Sequence, residues 1–545
     1  MKRIYCHIIL LTMVLAGATA CKSTLEEYNP GGLTAESVYT TPEGFETLVN
    51  AAYSYQRWWY GKEEGYNLAE TGTDIWTSGS GDVYLDLTRY INLQAGNGAL
   101  SSEWRELYAG INLINGGLIN IDKAGLAPTA KSTRTGELSF LRAFYYWHIV
   151  ETWGGVHFTL ENTNGIVSTA NRTPVDTFYK QIFADLNTAI NNLPATQPQW
   201  GRATKGAAQA FLARMYLTRG MNQEALDMAK AVIANTNYKL EPVFADLWKM
   251  SNLKSKEVVY TVNYNEDFAL NDLANSALNP YGHGRGSNSG HMLFLMKYDN
   301  LPGLVRDLKN GRPFVRYMPS RFLLDLYTDA DARHEGSFWQ YWFANTATNT
   351  LKVGDTAVYC TNKEIDNALE ATKKYQIYDR SKTYNADGSV KDNNRYEQLS
   401  KFMDPTRASF NEAQSARDVF VIRLAEVYLI AAEAELKLNH ADLAAGYINE
   451  VRTRAAKPGR IAEMQITPAQ VTLDFILDER ARELAGEQLR WFDLKRTGKL
   501  IERVKAYNPD NAVNIQAHHV LRPIPQSQID AVTNKDQFKQ NEGYQ

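Results

Sequence analysis

The sequence has few cysteines, almost no net charge and, after its first twenty residues, no apolar run long enough to span a bilayer. Three cysteines occur in 545 residues, and Cys360 is the only one beyond position 21, so we expect a fold without disulfide bonds. The formal charge of −3 at pH 7 provides no strong field that would favour nucleic acid or an anionic membrane surface. We therefore expect no nucleic-acid partner and no membrane-spanning helix in the mature chain.

Catalytic and metal-binding motifs are also missing. His518 and His519 are adjacent, whereas a helical zinc pair needs two histidines four residues apart with an intervening glutamate. Ser80 lacks the spacing of a nucleophile elbow, and Arg333 stands where a calcium loop beginning at Asp329 would need an oxygen ligand. The sequence therefore predicts no catalytic residue, no metal and no cofactor. The paired carboxylates of a glycosidase stay open as an alternative, because a sequence gives no distances.

The first twenty residues have the features of an export signal. Lys2 and Arg3 provide a positive end, an apolar core follows, and Ala18–Ala20 are small residues before a cleavage point. Cys21 comes directly after them, at a position where a cysteine can be lipidated and become the mature N-terminus. We predict a signal peptide over residues 1–20 and a lipid anchor at Cys21. Cleavage by an ordinary signal peptidase, which would leave Cys21 free, is the alternative.

The mature chain begins with helical periodicity. Apolar residues recur at helical spacing in four segments, namely Pro42–Tyr55, Ser101–Ile121, Glu137–Trp153 and Pro174–Leu193. Two later helix pairs share one arrangement of small and turn residues, at Ala213, Gly220 and Ala225 and again at Ala432, Asn439 and Ala444. The common intervals of seven and five residues are typical of tetratricopeptide repeats, in which small residues lie where helices touch.

A less regular region separates these two pairs, over about residues 238–420. Alternation predicts a strand at Val258–Tyr264 and paired strands at Ser337–Phe343 and Lys352–Tyr359. A further hairpin is predicted at Asn385–Val390, where Asp387-Gly388 is a turn dipeptide.

The stretch Leu473–Leu500 contains the most specific sequence motifs in the chain. It keeps a helical period that is interrupted at Gly486, and it contains DERAREL at residues 478–484 and RWFDLKR at residues 490–496. These two motifs, together with FLRAFYYWHIVETWGGVHF at residues 140–158, resemble the SusD/RagB family of outer-membrane nutrient-binding lipoproteins of Gram-negative bacteria. In that family the motif is architectural, so it identifies the family without locating a binding site.

The resemblance implies a mainly α fold, in which a scaffold of tetratricopeptide-like helical pairs carries a packed loop- and hairpin-rich region. We assign residues 21–237 to an N-terminal helical region, 238–420 to the irregular region and 421–545 to a C-terminal region with a repeat pair. The implied function is non-enzymatic capture of an oligosaccharide at the cell surface and its delivery to a SusC-like TonB-dependent transporter of the outer membrane. A peptide-binding member of the family, a surface glycosidase and a pure interaction scaffold are the alternatives.

A sugar-binding site needs exposed aromatic rings and a few fixed polar groups. The chain has 11 Trp, 31 Tyr and 20 Phe, which suits either a large core or a stacking surface. Strand alternation predicts that Trp339 and Tyr341 share one face and that Phe338 and Trp342 share the other. Burial in the core, or a flexible surface for the loop residues, is the structural alternative for every candidate. The candidate ligand-binding residues are Asp74, Trp76, Tyr281, Arg285, Trp339 and Trp342, with His283 and the run Trp58-Trp59-Tyr60 as further possibilities.

Overall fold

The structure is a computed structural model that describes residues 39–163, 165–265, 267 and 288–544. The chain is mainly helical within these ranges, which confirms the predicted fold class. The predicted signal peptide, Cys21 and the loop candidates Tyr281, His283 and Arg285 lie outside the described residues. No helix within the described ranges is both long enough and apolar enough to cross a membrane.

The N-terminal region consists of successive helices with one short strand. In chain order it contains α1 (Pro42–Ser54), α2 (Glu63–Ala69), β1 (Trp76–Ser78), α3 (Leu85–Thr88), α4 (Gly98–Asn120), α5 (Pro128–Trp153), α6 (Val175–Asn192), α7 (Lys205–Thr218) and α8 (Asn222–Ile233). The four helices predicted from periodicity are α1, α4, α5 and α6. Helix α5 begins nine residues earlier than predicted, because its first turns are polar and carry no apolar period.

Short strands and short helices make up the irregular region. They are β2 (Val258–Val262), α9 (Gly290–Leu293), β3 (Tyr317–Pro319), α10 (Arg321–Asp325), α11 (Arg333–Ser337), β4 (Phe338–Trp339), β5 (Tyr341–Phe343), β6 (Thr356–Cys360), α12 (Asn367–Glu370), β7 (Gln376–Tyr378), α13 (Arg380–Thr383), β8 (Gln398–Leu399) and β9 (Val419–Arg423). Antiparallel pairs join β1 to β3, β2 to β9 and β4 to β8. Strand β6 pairs antiparallel with β5 and parallel with β7. The predicted strand pairing over residues 337–359 is therefore confirmed for β5 and β6.

The C-terminal region is again helical. It contains α14 (Leu424–Lys437), α15 (Ala441–Ala455), α16 (Ile461–Met464), α17 (Leu473–Leu484), α18 (Arg490–Arg496), α19 (Leu500–Tyr507), α20 (Pro509–Ala512) and α21 (Gln526–Ala531). The signature stretch is split between α17 and α18, and Gly486 lies in the break with φ +82°. A left-handed residue of this kind ends a helix at little cost when it is glycine.

The two repeat pairs have the predicted geometry. Gly220 turns the chain between α7 and α8 with φ +72°, and Asn439 turns it between α14 and α15 with φ +67°. Glycine and asparagine are the residues that adopt this conformation most readily. The four alanines at the predicted helix contacts are fully buried, at positions Ala213, Ala225, Ala432 and Ala444. Helix α8 also packs on α14, so the two pairs adjoin in space although about two hundred residues separate them in sequence.

A buried ionic network, here called the charged joint, connects α17 to the irregular region. Glu479 and Glu483 lie four residues apart on one side of α17, and Glu487 follows just past the end of that helix. All three accept hydrogen bonds from basic side chains. The Glu483 carboxylate accepts hydrogen bonds from three arginines that belong to other elements. The remaining members of the charged joint are Glu257, Asp331, Arg333, Lys401, Arg423, Arg452, Arg454 and Arg482. The DERAREL motif is thus buried and holds α17 to neighbouring elements through ion pairs, so its role is architectural, as the resemblance implied.

Candidate functional site

Asp74 is a structural residue, which corrects its assignment to a ligand site. Its carboxylate is fully buried and accepts hydrogen bonds from Arg490 at 2.8 and 2.6 Å and from Arg503 at 2.8 Å. Burial acts to raise the pKa of Asp74, but the two guanidinium groups outweigh it and hold the pKa below its usual value. Asp74 therefore ties the loop before β1 to α18 and α19, and no lone pair faces solvent.

Trp76 is likewise part of the interior. Its indole N–H donates to Glu70 Oε1 at 2.7 Å, and its ring lies edge-on to Phe294 at 4.8 Å between centroids. Glu70 also accepts from the backbone N–H groups of Gly486 and Leu489 just before α18. Because Trp76 has no exposed face, it cannot act as a stacking platform in this structure. Both the apolar ring and the polar N–H of Trp76 therefore have their contacts inside the protein.

The Gly/Ser loop after Trp76 also has a structural explanation. A Cβ atom added at Gly79 would lie 2.2 Å from the carbonyl oxygen of Val315, and one added at Gly81 would lie 2.1 Å from that of Phe314. The two backbones approach too closely for any side chain, so glycine is required at both positions. The loop is shaped by packing against this segment rather than by a ligand.

Two rings of the aromatic run before α2 pack in the core, whereas Trp58 is half-buried. Trp59 and Tyr60 are buried, and the Tyr60 hydroxyl lies 3.2 Å from His148 Nε2. The Trp59 ring meets the His148 ring edge-on at 4.5 Å between centroids. A helix end packed on the core explains these rings, so they offer no platform.

The strand alternation predicted around β4 and β5 is confirmed. Phe338 and Trp342 are each 1% exposed and belong to the core beneath the irregular region, whereas Tyr341 is 45% and Phe343 46% exposed. Trp339 is half-buried. Of the two ligand-binding candidates on these strands, Trp339 therefore lies on the outward face, and the assignment of Trp342 is corrected to the core. Phe343 was not among the candidates, although the same alternation places it beside Tyr341.

We call the outward rings of Trp339, Tyr341, Phe343 and Tyr359 the aromatic platform. Tyr359 lies opposite Tyr341 across the β5–β6 ladder, and their rings stack at 4.3 Å between centroids with an interplanar angle of 11°. Burial and the neighbouring hydroxyl of Tyr359 raise the pKa of Tyr341 to about 12. The Tyr341 hydroxyl is therefore a neutral hydrogen-bonding group at every physiological pH.

Fixed polar groups surround the platform. Trp339, Tyr341 and Phe343 line an open cavity of about 630 Å³ together with Asp307 and Asn345, a volume within the range of small-molecule sites. The Asn345 amide donates to the Val305 carbonyl at 2.7 Å and to Asp307 Oδ2 at 2.6 Å, and its oxygen accepts from the Val305 N–H at 2.9 Å. These bonds hold both polar side chains in place before any ligand arrives.

A positive charge completes the surroundings of the platform. The Lys309 ammonium lies 5.6 Å from the centroid of the Phe343 ring, a distance at which a cation and a ring face attract each other. Among the described residues, no cluster of His, Cys, Asp and Glu has the arrangement of a metal site. Flat exposed rings with oriented amide, carboxylate and ammonium groups can bind a ligand that has both apolar faces and hydroxyls.

Two family models match the chain. The model described as "SusD family" matches residues 257–544, which is more than half of the chain. The model described as "Starch-binding associating with outer membrane" matches residues 49–217. The two matches do not overlap, and together they cover most of the described residues.

Curated relatives align over nearly the whole chain. SusD-like protein P2 of Formosa agariphila is 27% identical, with 100% of each chain covered. The starch-binding protein SusD of Bacteroides thetaiotaomicron is 22% identical over 81% of this chain and 78% of its own length.

Solved structures share the fold. A laminarin-binding SusD-like protein superposes with a TM-score of 0.71 at 24% identity, covering 93% of this chain and 100% of that one. Surface glycan-binding protein A of Bacteroides thetaiotaomicron, in complex with laminarihexaose, superposes with a TM-score of 0.69 at 20% identity over 92% of this chain and 100% of that one. With a family model matching over half of its length, this chain belongs to the SusD family.

Proposed function

We propose that this protein binds an oligosaccharide at the aromatic platform on the cell surface. The observation that carries the proposal is the pair of half-exposed rings, Tyr341 and Phe343, on one strand above hydrogen-bonded Asn345 and Asp307. Sugars present flat C–H faces that stack on rings and hydroxyls that meet fixed polar groups. Relatives described as starch-binding and laminarin-binding support a glycan as the ligand class.

The binding is non-covalent, and no bond of the ligand is broken. The relatives are described as binding proteins. Asp307, an acidic residue that lines the cavity, already accepts hydrogen bonds from Asn310 and Asn345. A carboxylate engaged in this way is a fixed acceptor at the rim of the cavity, which suits it to orient a ligand hydroxyl.

A glycan array with purified protein tests the proposal, combined with an assay for reducing-sugar release. We expect binding to at least one glycan class without release. Tyr341→Ala should weaken that binding roughly tenfold, on the scale of 1.4 kcal/mol per factor of ten, with an unchanged melting temperature. Tyr507→Ala is the matched control, because Tyr507 is 39% exposed on α19 and is absent from the cavity. Glycan binding that is equally strong in the Tyr341→Ala variant would refute the platform.

The proposal includes a lipid anchor at Cys21 and a SusC-like TonB-dependent transporter as the partner that receives the ligand. The support is the export-signal pattern before Cys21, family membership, and the outer-membrane association of the second matching family. Mass spectrometry of membrane-extracted protein should find a lipid-modified Cys21 at the N-terminus. Co-purification in mild detergent should recover the transporter, and purification without any such partner would count against this part.

A further inference from the structure

A second cavity lies far along the chain from the aromatic platform and shares none of its residues. It is about 690 Å³ in volume and is bounded by α4, by the segment after α5 and by the chain around α21. This volume is also within the range of small-molecule sites. We call it the second cleft. Its lining includes Trp104, Arg105, Tyr108, Glu161, Gln528 and Phe538.

Aromatic rings form one wall of the second cleft and are held rigidly. The Trp104 ring packs 4.8 Å from Tyr108, 5.0 Å from Trp153 and 6.4 Å from Phe538, measured between centroids. The Tyr108 hydroxyl donates to the His157 carbonyl at 2.5 Å. Trp104 and Phe538 are buried, so the half-buried Tyr108 carries the ring surface that a ligand can reach. Because its neighbours hold it in place, Tyr108 can receive the apolar face of a ligand with little loss of side-chain entropy on binding.

The opposite wall is a segment anchored at two points by asparagines. At one end, the Asn115 amide donates to the carbonyls of Thr159 and Glu161 at 3.1 and 3.2 Å. At the other end, Asn534 accepts from the Ala170 N–H at 3.2 Å and donates to the Ala170 carbonyl at 2.8 Å. Asn115 lies on α4, as Trp104 and Tyr108 do, so these bonds fix the positions of Thr159, Glu161 and Ala170 relative to the aromatic wall, and the opening between them is part of the fold.

The polar lining indicates the class of ligand. Arg105 lines the cleft but is paired with the buried Glu106 at 2.9 Å, and Thr159, Thr163 and Gln528 contribute neutral donors and acceptors. A lining of mostly neutral polar groups, with its one cation already paired, favours a neutral ligand over an anion. Such a lining is unsuited to an acyl chain, which would leave the polar groups without partners. A sugar satisfies both walls, because its C–H face can meet the Tyr108 ring and its hydroxyls can meet the polar groups.

We infer that the second cleft is a ligand site for a neutral sugar unit of one or two rings, separate from the aromatic platform. A chain with two such sites can hold two parts of one polymer, and the second contact then benefits from a raised effective concentration. The inference stands on the geometry of the second cleft and does not require that the platform binds.

Saturation-transfer NMR with a panel of neutral methyl glycosides of glucose, galactose, mannose, xylose and rhamnose tests the inference. The proteins are the wild type, the platform double variant Tyr341→Ala/Phe343→Ala, and Ala531→Trp, which places a large ring in the second cleft from an exposed position. We expect at least one glycoside to give a signal that survives in the platform variant and falls roughly tenfold in Ala531→Trp. Glu224→Trp, at an exposed position on α8, controls for the added ring.

Two further readings make the test decisive. Gln528→Ala removes a half-buried polar side chain that lines the cleft, so it should weaken the same signal while the melting temperature stays unchanged, even if Ala531→Trp folds poorly. The inference is overturned if no glycoside signal depends on Ala531→Trp or Gln528→Ala. Signals lost only in the platform variant would overturn it as well, while leaving the proposed function intact.

Discussion

The charged joint and the aromatic platform reverse the usual distribution of residues between interior and surface. In the joint, Glu483 and Arg333 are completely buried, and each is held by several opposite charges. On the platform, Tyr341 and Phe343 keep nearly half of their surface in water. Charged residues are rarely buried unless they are paired, and neighbouring large rings are rarely left exposed without a function.

The contrast separates residues that hold the fold from residues that can meet a ligand. A buried ion pair need not add net stability, because the desolvation of both charges offsets their attraction. Its loss is nevertheless costly, because the remaining charge is stranded in the interior. Removal of an exposed ring leaves no buried charge without a partner, so it should leave the free energy of unfolding almost unchanged. Single substitutions in the two regions should therefore give opposite patterns of stability and binding.

Removal of a central cation from the charged joint should have the largest effect. Arg423 is buried and donates to Glu257, Glu483 and Glu487. We expect Arg423→Met to lower the free energy of unfolding by about 3–5 kcal/mol, because three carboxylates lose a shared partner. Urea denaturation followed by circular dichroism measures this. Arg460→Ala, which removes an exposed pair with Glu463, is the control and should cause no measurable change. Similar effects of the two variants would contradict the structural role of the joint.

Trp342 tests the interior side of the platform strand. The residue is 1% exposed and lies between Tyr341 and Phe343 in sequence. Truncation of a buried tryptophan removes a large contact area and leaves a cavity, so Trp342→Ala should cost about 3–5 kcal/mol of unfolding free energy. Glycan affinity of the fraction that remains folded should stay close to that of the wild type. A variant that melts normally but fails to bind would return Trp342 to the list of ligand contacts.

Acid should weaken the charged joint. Burial acts to raise the pKa of Glu483, but Arg454, Arg423 and Arg333 outweigh it and lower the pKa from 4.5 to about 2. For a carboxylate with a depressed folded-state pKa, the contribution to stability is present above the unfolded-state pKa and is lost as pH falls through the folded-state value. We therefore expect the melting temperature to fall between pH 4.5 and pH 2.

The Glu483→Gln variant checks the source of this acid sensitivity. It should melt at a lower temperature than the wild type at pH 7, because an amide replaces a paired carboxylate, and should lose less on acidification because that group no longer titrates. Melting curves of both proteins at several pH values between 7 and 2 give the comparison. Parallel curves for the two proteins would assign the acid sensitivity to other groups.

The sequence predicted the scaffold well because local rules and packing agree there. Apolar periodicity marked α1, α4, α5 and α6, and the repeat spacing placed two positive-φ turns at Gly220 and Asn439. The charged joint could not be predicted. The charges at Glu479 and Glu483 look like a solvated helix face until residues 60 to 150 positions away are brought against them.

The site was harder to predict for the same reason. Asp74 and Trp76 have the residue types of a sugar site, but Arg490 and Arg503 reach Asp74 from the C-terminal region, and Phe294 packs on Trp76. Both residues are therefore buried. Only the alternation along β5 carried usable information, because it depends on neighbouring residues alone. It separated the two faces correctly, yet it could not show which face the core would take.

Phe343 provides the sharpest form of the comparison, with the smallest expected effect on stability. Its ring is 46% exposed on β5, the edge strand of the β5–β6–β7 sheet. We expect Phe343→Ala to change the unfolding free energy by less than about 0.5 kcal/mol. Glycan affinity should fall roughly tenfold, because the variant loses a stacking face next to Lys309. Phe343→Tyr keeps the flat face and should retain most of the affinity, which isolates stacking from a general loss of the side chain. Calorimetric titration and melting curves on the same preparations decide the matter: unchanged affinity with Phe343→Ala would move the ligand away from the platform, and an early melting transition would make Phe343 part of the core.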